Sequence, residues 1–201
     1  MFKTVGVIGS APLGAAIAGN MAAAGPRLLI ADAREPFRLA SLVSKCRQNA
    51  FAVTPSVAAG AELVILAIPV QGVPVLAHEV EDWLGTVVVD ATSQDPTVDG
   101  NGNAGGENST EWVGRQMPGA TMIKAFNAMR ASHVRRPSSQ GVRKKVIFYA
   151  GDDRGACTRF AEFIDLIGFA PVYLGTLRDR GRLEHGGSAG GLRVTGTTDP
   201  G

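Results

Sequence analysis

A chain of 201 residues with 45% hydrophobic and 19% charged side chains has ordinary globular composition, and it can bury one substantial core. A net charge of +2 gives no overall electrostatic case for nucleic acid. Two cysteines, Cys46 and Cys157, have no second cysteine or histidine at metal spacing, so they form neither a disulfide framework nor a metal site. Inert thiols of this kind fit a reducing cytoplasm, which is the expected location.

Val5 to Ile8 reads as a buried strand running directly into the turn Gly9-Ser10-Ala11-Pro12-Leu13-Gly14. An alanine-rich helix follows, expected to start within a residue or two of Pro12. Lys3, this apolar stretch and Ala22-Ala23-Ala24 imitate a signal peptide, but Ser10, Pro12 and Asn20 break the run. No other segment approaches the roughly 18 unbroken apolar residues of a membrane span. Leu28 to Ala31 is a second strand, ending at Asp32, with Arg34 two residues on. Strand, glycine turn, helix and a distant acid together form the layout of a dinucleotide-binding unit. The turn receives the pyrophosphate over a helix N-terminus, and the acid meets the adenosine ribose. The middle glycine of the usual pattern is replaced by Ala11, and Pro12 removes one N–H that could serve an anion.

Glu35 to Lys45 is predicted helical, with Phe37, Leu39, Leu42 and Val43 on its apolar face. A short strand at Phe51 to Val53 precedes Thr54-Pro55, which opens a brief helix through Ala59. Glu62 to Ile68 is a continuous apolar run, as expected of a parallel strand covered on both faces, and Pro69 stops it. Gln71 to Trp83 is predicted as an amphipathic helix and Thr86 to Asp90 as the next strand. Ser93 to Asn108 is a polar, glycine-rich loop, after which Ser109 or Thr110 is expected to cap a helix through Arg115. Thr121 to Phe126 and Lys145 to Ala150 are strands. Asp153 to Ile167 is a helix with Phe160, Phe163, Ile164 and Ile167 on one side, and Pro171 to Leu174 is the last strand. This alternation predicts an α/β fold, a Rossmann-type doubly wound and mostly parallel sheet in a single domain. That domain is placed at 1–184, and the glycine-rich residues 185–201 are expected to be a disordered tail.

In open α/β sheets ligands bind beyond the carboxyl ends of the strands. The residues at those ends are Gly9 to Gly14, Asp32 and Arg34, then Ile68, Pro69 and Val70, then Thr92 and Ser93, then Asn127, Ala128 and Met129. Gly9 to Gly14, Asp32, Arg34, Ile68, Pro69, Val70, Thr92 and Asn127 are the candidate cofactor ligands, and Val70, Asn127, Ala128 and Met129 are the candidate acceptor pocket. No catalytic residue is identified: His78, His133 and His185 are scattered, and no nucleophile–base pair or paired carboxylates stand out. Hydride transfer between two bound redox cofactors asks for little proton chemistry, which makes it a better match than hydrolysis.

Several segments together resemble the NADPH-dependent coenzyme F420 reductases. They are Leu66-Ala67-Ile68-Pro69, Val89-Asp90-Ala91-Thr92, Ile123-Lys124-Ala125-Phe126-Asn127, Gly151-Asp152-Asp153, and Gly168 to Leu177 with Arg182-Leu183-Glu184 after it. Relatives of that family include the cytoplasmic reductase domain of the Steap metalloreductases and bacterial dinucleotide-binding oxidoreductases. The resemblance implies a Rossmann-type fold, a nicotinamide cofactor (NADP or NAD) and hydride passed to or from a flavin or deazaflavin such as coenzyme F420. It also implies that Arg34 stands beside the 2′-phosphate of NADP. The chain departs from the family at Ala11, at Asp32, at Val70 where an aromatic is common, at Ser93, and beyond Glu184.

The leading expectation is therefore an NAD(P)-dependent oxidoreductase acting on a small-molecule redox acceptor, with no nucleic-acid or membrane partner and with room for a homodimer. The alternative is a non-catalytic dinucleotide-binding or sensor protein on the same fold. An imine reductase of the pyrroline-carboxylate type is set aside, because that class carries a long helical dimerisation domain after the Rossmann unit. Asp32 suits a ribose 2′-hydroxyl and repels a 2′-phosphate, so both cofactors are expected to bind with neither favoured more than about a hundredfold.

Overall fold

The computed structural model describes residues 1–33, 36–46, 49–92, 109–127, 129–135 and 144–178. Eight strands form one sheet: β1 (Thr4–Ile8), β2 (Arg27–Ala31), β3 (Ala50–Ala52), β4 (Leu63–Leu66), β5 (Val87–Asp90), β6 (Thr121–Ala125), β7 (Val146–Gly151) and β8 (Ala170–Tyr173). Their order is β3-β2-β1-β4-β5-β6-β7-β8, and only the β6–β7 pair is antiparallel. The chain moves outward from β1 in one direction to β3, then returns to the other side of β1 with β4. That reversal of strand order at β1 opens a crevice beyond the strand ends.

The continuous apolar runs are divided by the pleat between two layers. Val5, Val7, Leu28, Ile30, Leu63, Ile65 and Val89 face one core, shared with α1 (Pro12–Ala23), α6 (Ala131–Val134) and α7 (Arg154–Leu166). Ile8, Leu29, Ala31, Val64, Leu66 and Val88 face the other core. That second core is shared with α3 (Pro55–Ala59), α4 (Val73–Glu79) and α5 (Ser109–Gln116). Burial on both faces is what the parallel strands require, and it explains why their sequences do not alternate with polar residues. Helix α7 carries Phe160, Phe163 and Ile164 inward as its spacing predicts, and the Asp153 side chain caps it by accepting from Ala156 N–H at 2.7 Å.

Three predicted elements take a different form. The helix expected over 35–45 is a 3₁₀ turn, Pro36–Leu39, followed by a single α-turn, α2 (Ala40–Val43), while Glu35 lies outside the described residues. The tighter turn buries Leu39 and leaves Phe37 71% exposed under the guanidinium of Arg38. The helix expected over 71–83 begins as a 3₁₀ turn, Val70–Gly72, and becomes regular only at Val73, with Pro74 in its first turn where a missing N–H costs nothing. It ends at Glu79, because Val80 turns extended and carries Trp83 into the second core. Ser109 and Thr110 lie inside α5 and are buried rather than standing at its cap. Among the described residues no helix is long and apolar enough to cross a membrane.

The layers meet closely where α3 crosses β1. A Cβ on Gly6 would stand 2.2 Å from the Ala58 carbonyl oxygen, so the helix can rest on the strand only over a glycine. Gly6→Ala is expected to lower stability by about 1–3 kcal/mol, as overpacking of a closed core does, and urea unfolding of the variant measures it.

Candidate dinucleotide site

The turn from β1 into α1 is built on two glycines with different jobs. Gly9 has φ +120°, which L side chains rarely adopt, and a Cβ there would lie 2.2 Å from the Ala67 carbonyl oxygen. Its N–H donates to the Ala31 carbonyl at 2.8 Å, tying the turn to the end of β2. Gly14 lies in the first turn of α1, and a Cβ on it would be 2.0 Å from the Gly9 carbonyl oxygen. Helix α1 begins at Pro12 with Ala11 as its N-cap and no side chain capping it. Helix geometry leaves the N–H groups of Leu13 and Gly14 without an intrahelical partner, and a phosphate is the ligand they suit. The Ala11 methyl is exposed at the mouth of this turn.

Asp32, at the end of β2, accepts a hydrogen bond from the Ser10 hydroxyl, so the acid is drawn against the phosphate turn. Both side chains open on a cleft of about 750 Å³ that runs over the ends of β3, β2, β1 and β4. Of the residues singled out in the sequence, Gly9, Ser10, Ala11, Asp32, Ile68 and Pro69 line it together. Further lining comes from Ala33, Pro36, Thr54 and Pro55 and, across the cleft, from Gly72, Val75, Leu76 and Glu79 on and before α4. Those were not legible as site residues. The one available signal was an apolar residue and an acid four apart, Val75 and Glu79, on the helix after Pro69. None of the described lining residues is basic. Arg34, Ser93 and Ala128 lie outside the described residues.

Beside this cleft, at the ends of β5 and β6, sits a buried polar network. Asp90 is fully buried and accepts from the Thr92 N–H at 3.0 Å, the Thr92 hydroxyl at 2.7 Å and the Thr110 hydroxyl at 2.5 Å. Lys124, its register partner on β6, is 1% exposed and donates to the Ser109 hydroxyl at 2.9 Å. The first turn of α5 is thus fastened to two strand ends by charge-assisted bonds. Next comes Phe126 with φ +69°, an uncommon state for an aromatic residue, held by an edge-on contact with Phe160 at 6.4 Å. That twist brings Asn127 to donate to the Thr92 carbonyl at 3.1 Å, while its Oδ1 is buried with no hydrogen-bond partner among the described residues.

Val70 and Met129 are half-buried on different cores, Val70 on the side of α4 and Met129 on the side of α1. Leu13 also packs on the α1 side. Neither thiol is poised for chemistry: burial pushes both Cys46 and Cys157 above the usual range, and nearby Asp153 and Asp152 raise Cys157 further.

The strand order and the glycine turn define a Rossmann-type fold. Residues 4–94 match the family of coenzyme F420-dependent NADP oxidoreductases. A hypothetical protein from Sinorhizobium meliloti of known structure is 34% identical over 93% of this chain and 92% of its own, with a TM-score of 0.83. A proposed F420-dependent NADP reductase from Arthrobacter sp. FB24 is 22% identical over 88% of this chain and 86% of its own, with a TM-score of 0.68. A reductive aminase from Aspergillus terreus, solved with NADPH and ethyl levulinate, shares the fold at 15% identity and a TM-score of 0.62. This chain spans about half of that enzyme: the match covers 88% of this chain and 55% of the aminase. No curated protein matches the chain significantly. Residues 4–94 thus belong with the coenzyme F420-dependent NADP oxidoreductase family.

The 2.0 Å approach at Gly14 makes it a packing glycine as much as a phosphate one. Gly14→Val is therefore expected to lose stability together with nucleotide affinity, a thermal melt and a binding titration falling in parallel. A variant that binds nothing yet melts like the wild type would show that the turn can yield without disturbing the fold.

Proposed function

We propose that this protein is an NAD(P)-dependent oxidoreductase that passes hydride between a nicotinamide cofactor and a flavin- or deazaflavin-type acceptor. The observation that carries the reading is the single cleft joining the Gly9–Gly14 turn to Asp32 and to Ile68-Pro69. The residues present fit a dinucleotide. Two positions have no room for a Cβ beside the phosphate turn, and a buried amide oxygen on Asn127 lacks a partner at the neighbouring strand ends. Membership of the F420-dependent family supports the choice of acceptor class.

The N–H groups of Leu13 and Gly14 hold the pyrophosphate, and Asp32, oriented by Ser10, holds the adenosine ribose. Pro69 offers a flat apolar surface to a ring, and Asn127, held by Thr92, offers an amide to a carboxamide. A bound nicotinamide supplies the hydride. The chain's own contribution is orientation and the exclusion of water, which together lower the barrier to a direct transfer. No acid or base has to be poised for that step.

Purified protein mixed with NADPH or NADH and offered FMN, FAD, a deazaflavin or a ferric chelate is expected to oxidise the nicotinamide with a flavin or deazaflavin. Tight nucleotide binding without oxidation by any acceptor would instead make the chain a non-catalytic dinucleotide sensor.

Cofactor preference follows from charge. Asp32 opposes a 2′-phosphate, and none of the described lining residues supplies a compensating cation. Arg34, which the family places beside that phosphate, is two residues further along. The two effects offset one another, so NADPH and NADH are expected to bind within about a hundredfold, roughly 2.7 kcal/mol. Asp32→Ser should move the ratio of dissociation constants towards NADPH. A wild-type preference of several thousandfold for either cofactor would show that one of the two side chains stands outside the site.

A further inference from the structure

The side chain of Asn127 is held at one end only. Its Nδ2 donates to the Thr92 carbonyl, and its Oδ1 is buried with no hydrogen-bond partner among the described residues. An amide has two ends of nearly equal shape and opposite hydrogen-bonding character, so its partner decides which end is left for a ligand. The reason that Nδ2 is the end taken lies at the end of β5. Asp90 is fully buried there. Its Oδ1 accepts both donors of Thr92, the N–H at 3.0 Å and the hydroxyl at 2.7 Å, and its Oδ2 accepts the Thr110 hydroxyl. A carboxylate only accepts, so it uses up the hydrogens of Thr92 and leaves that residue only acceptors to offer Asn127.

We propose that Asp90 is a positioning residue: by taking both Thr92 donors it fixes the Asn127 amide with Oδ1 free, and so makes this position select a ligand that donates. The proposal rests on the dinucleotide reading above, in which the donor is the N–H2 group of the nicotinamide carboxamide. Leaving a buried acceptor unpaired is costly, so a group that brings an N–H to Oδ1 is favoured and one without it is rejected. With an amide in place of the carboxylate at position 90, the Thr92 hydroxyl is released to donate to Oδ1. The Asn127 amide then turns over, and its selectivity for a donor is lost. Asp90 touches no ligand itself and acts through Thr92 and Asn127. Thr110 reaches the other carboxylate oxygen from α5 and has no bond to Thr92 or Asn127, so its contribution is to hold the helix.

The test uses oxidised NADP and two analogues. The thionicotinamide form keeps the N–H2 group, and the 3-acetylpyridine form replaces it with a methyl. Affinities are read by calorimetry, so no turnover is involved. The wild type is expected to bind NADP and the thionicotinamide form alike, and the acetylpyridine form about tenfold more weakly, the scale of one hydrogen bond. Asp90→Asn, close to the native side chain in shape, should bring all three nucleotides within about twofold of one another. Thr110→Val removes only the bond to the other carboxylate oxygen. It should lower the melting temperature and keep the ratio, which separates positioning from stability. Thr92→Val has no hydroxyl to release, so the ratio should survive there even as affinity for all three falls. That variant carries the test if Asp90→Asn does not fold. Equal binding of the three by the wild type, an unaltered ratio in Asp90→Asn, or a lost ratio in either valine variant would overturn the proposal while leaving the dinucleotide site intact. Failure of the wild type to bind any of the nucleotides would overturn both readings together.

Discussion

Close backbone approach between the β1–α1 turn and the end of β4 governs this structure. The Gly9 Cα faces the Ala67 carbonyl and the Gly14 Cα faces the Gly9 carbonyl, both at distances no Cβ could share. The Ala67 N–H donates to Ile8 at 2.8 Å and the Gly9 N–H donates to Ala31 at 2.8 Å, so the ladder extends past the regular strands on both sides of β1. Three strand ends are thereby locked at the point where the sheet reverses its order. The start of α1 cannot drift from them, and the cleft inherits that rigidity. A site whose ligand is held largely by backbone N–H groups needs such a frame, because those donors have no rotamers with which to adjust.

A second frame stands one strand further on. Burying Asp90 and Lys124 costs several kcal/mol per ion unless partners surround them, and hydroxyls from Thr92, Thr110 and Ser109 provide those partners. What the network contributes is position more than stability. It joins β5, β6 and the first turn of α5, and through Thr92 it reaches Asn127. The left-handed backbone at Phe126 is carried by ring packing on Phe160, which in turn meets Tyr149 at 5.4 Å. Conformational cost at one residue is offset in the core behind it, an arrangement found where a following side chain has to be aimed.

The cleft is apolar in its walls and acidic at its rim. A surface of that kind offers a ligand shape and a few directed hydrogen bonds. Ala11 stands at the lip of the glycine turn, and Asp32 lines the cleft at the end of β2.

The sheet, its two layers and the phosphate turn were legible in the sequence because each is dictated locally. Strand runs such as Leu63 to Leu66 record burial on both faces, and Gly9 with Gly14 records a turn that admits no side chain. The Phe160–Ile164 stripe records one helix face. The position of Asp32 could be read because it ends the strand next to that turn. Glu79, Val75 and the Asp90–Lys124 pair were not legible as a site, because their meaning comes from neighbours remote in sequence. Ser109 and Thr110 read as caps by their position, yet tertiary burial made them partners of β5 and β6. The helix after Pro69 was shortened in the same way, since placing Trp83 in the second core is worth more than one further turn of exposed helix. Local pattern determined which elements form and where the phosphate turn lies. Packing between distant segments decided where those elements stop and which side chains share a wall, because burial energy is settled only when the layers meet.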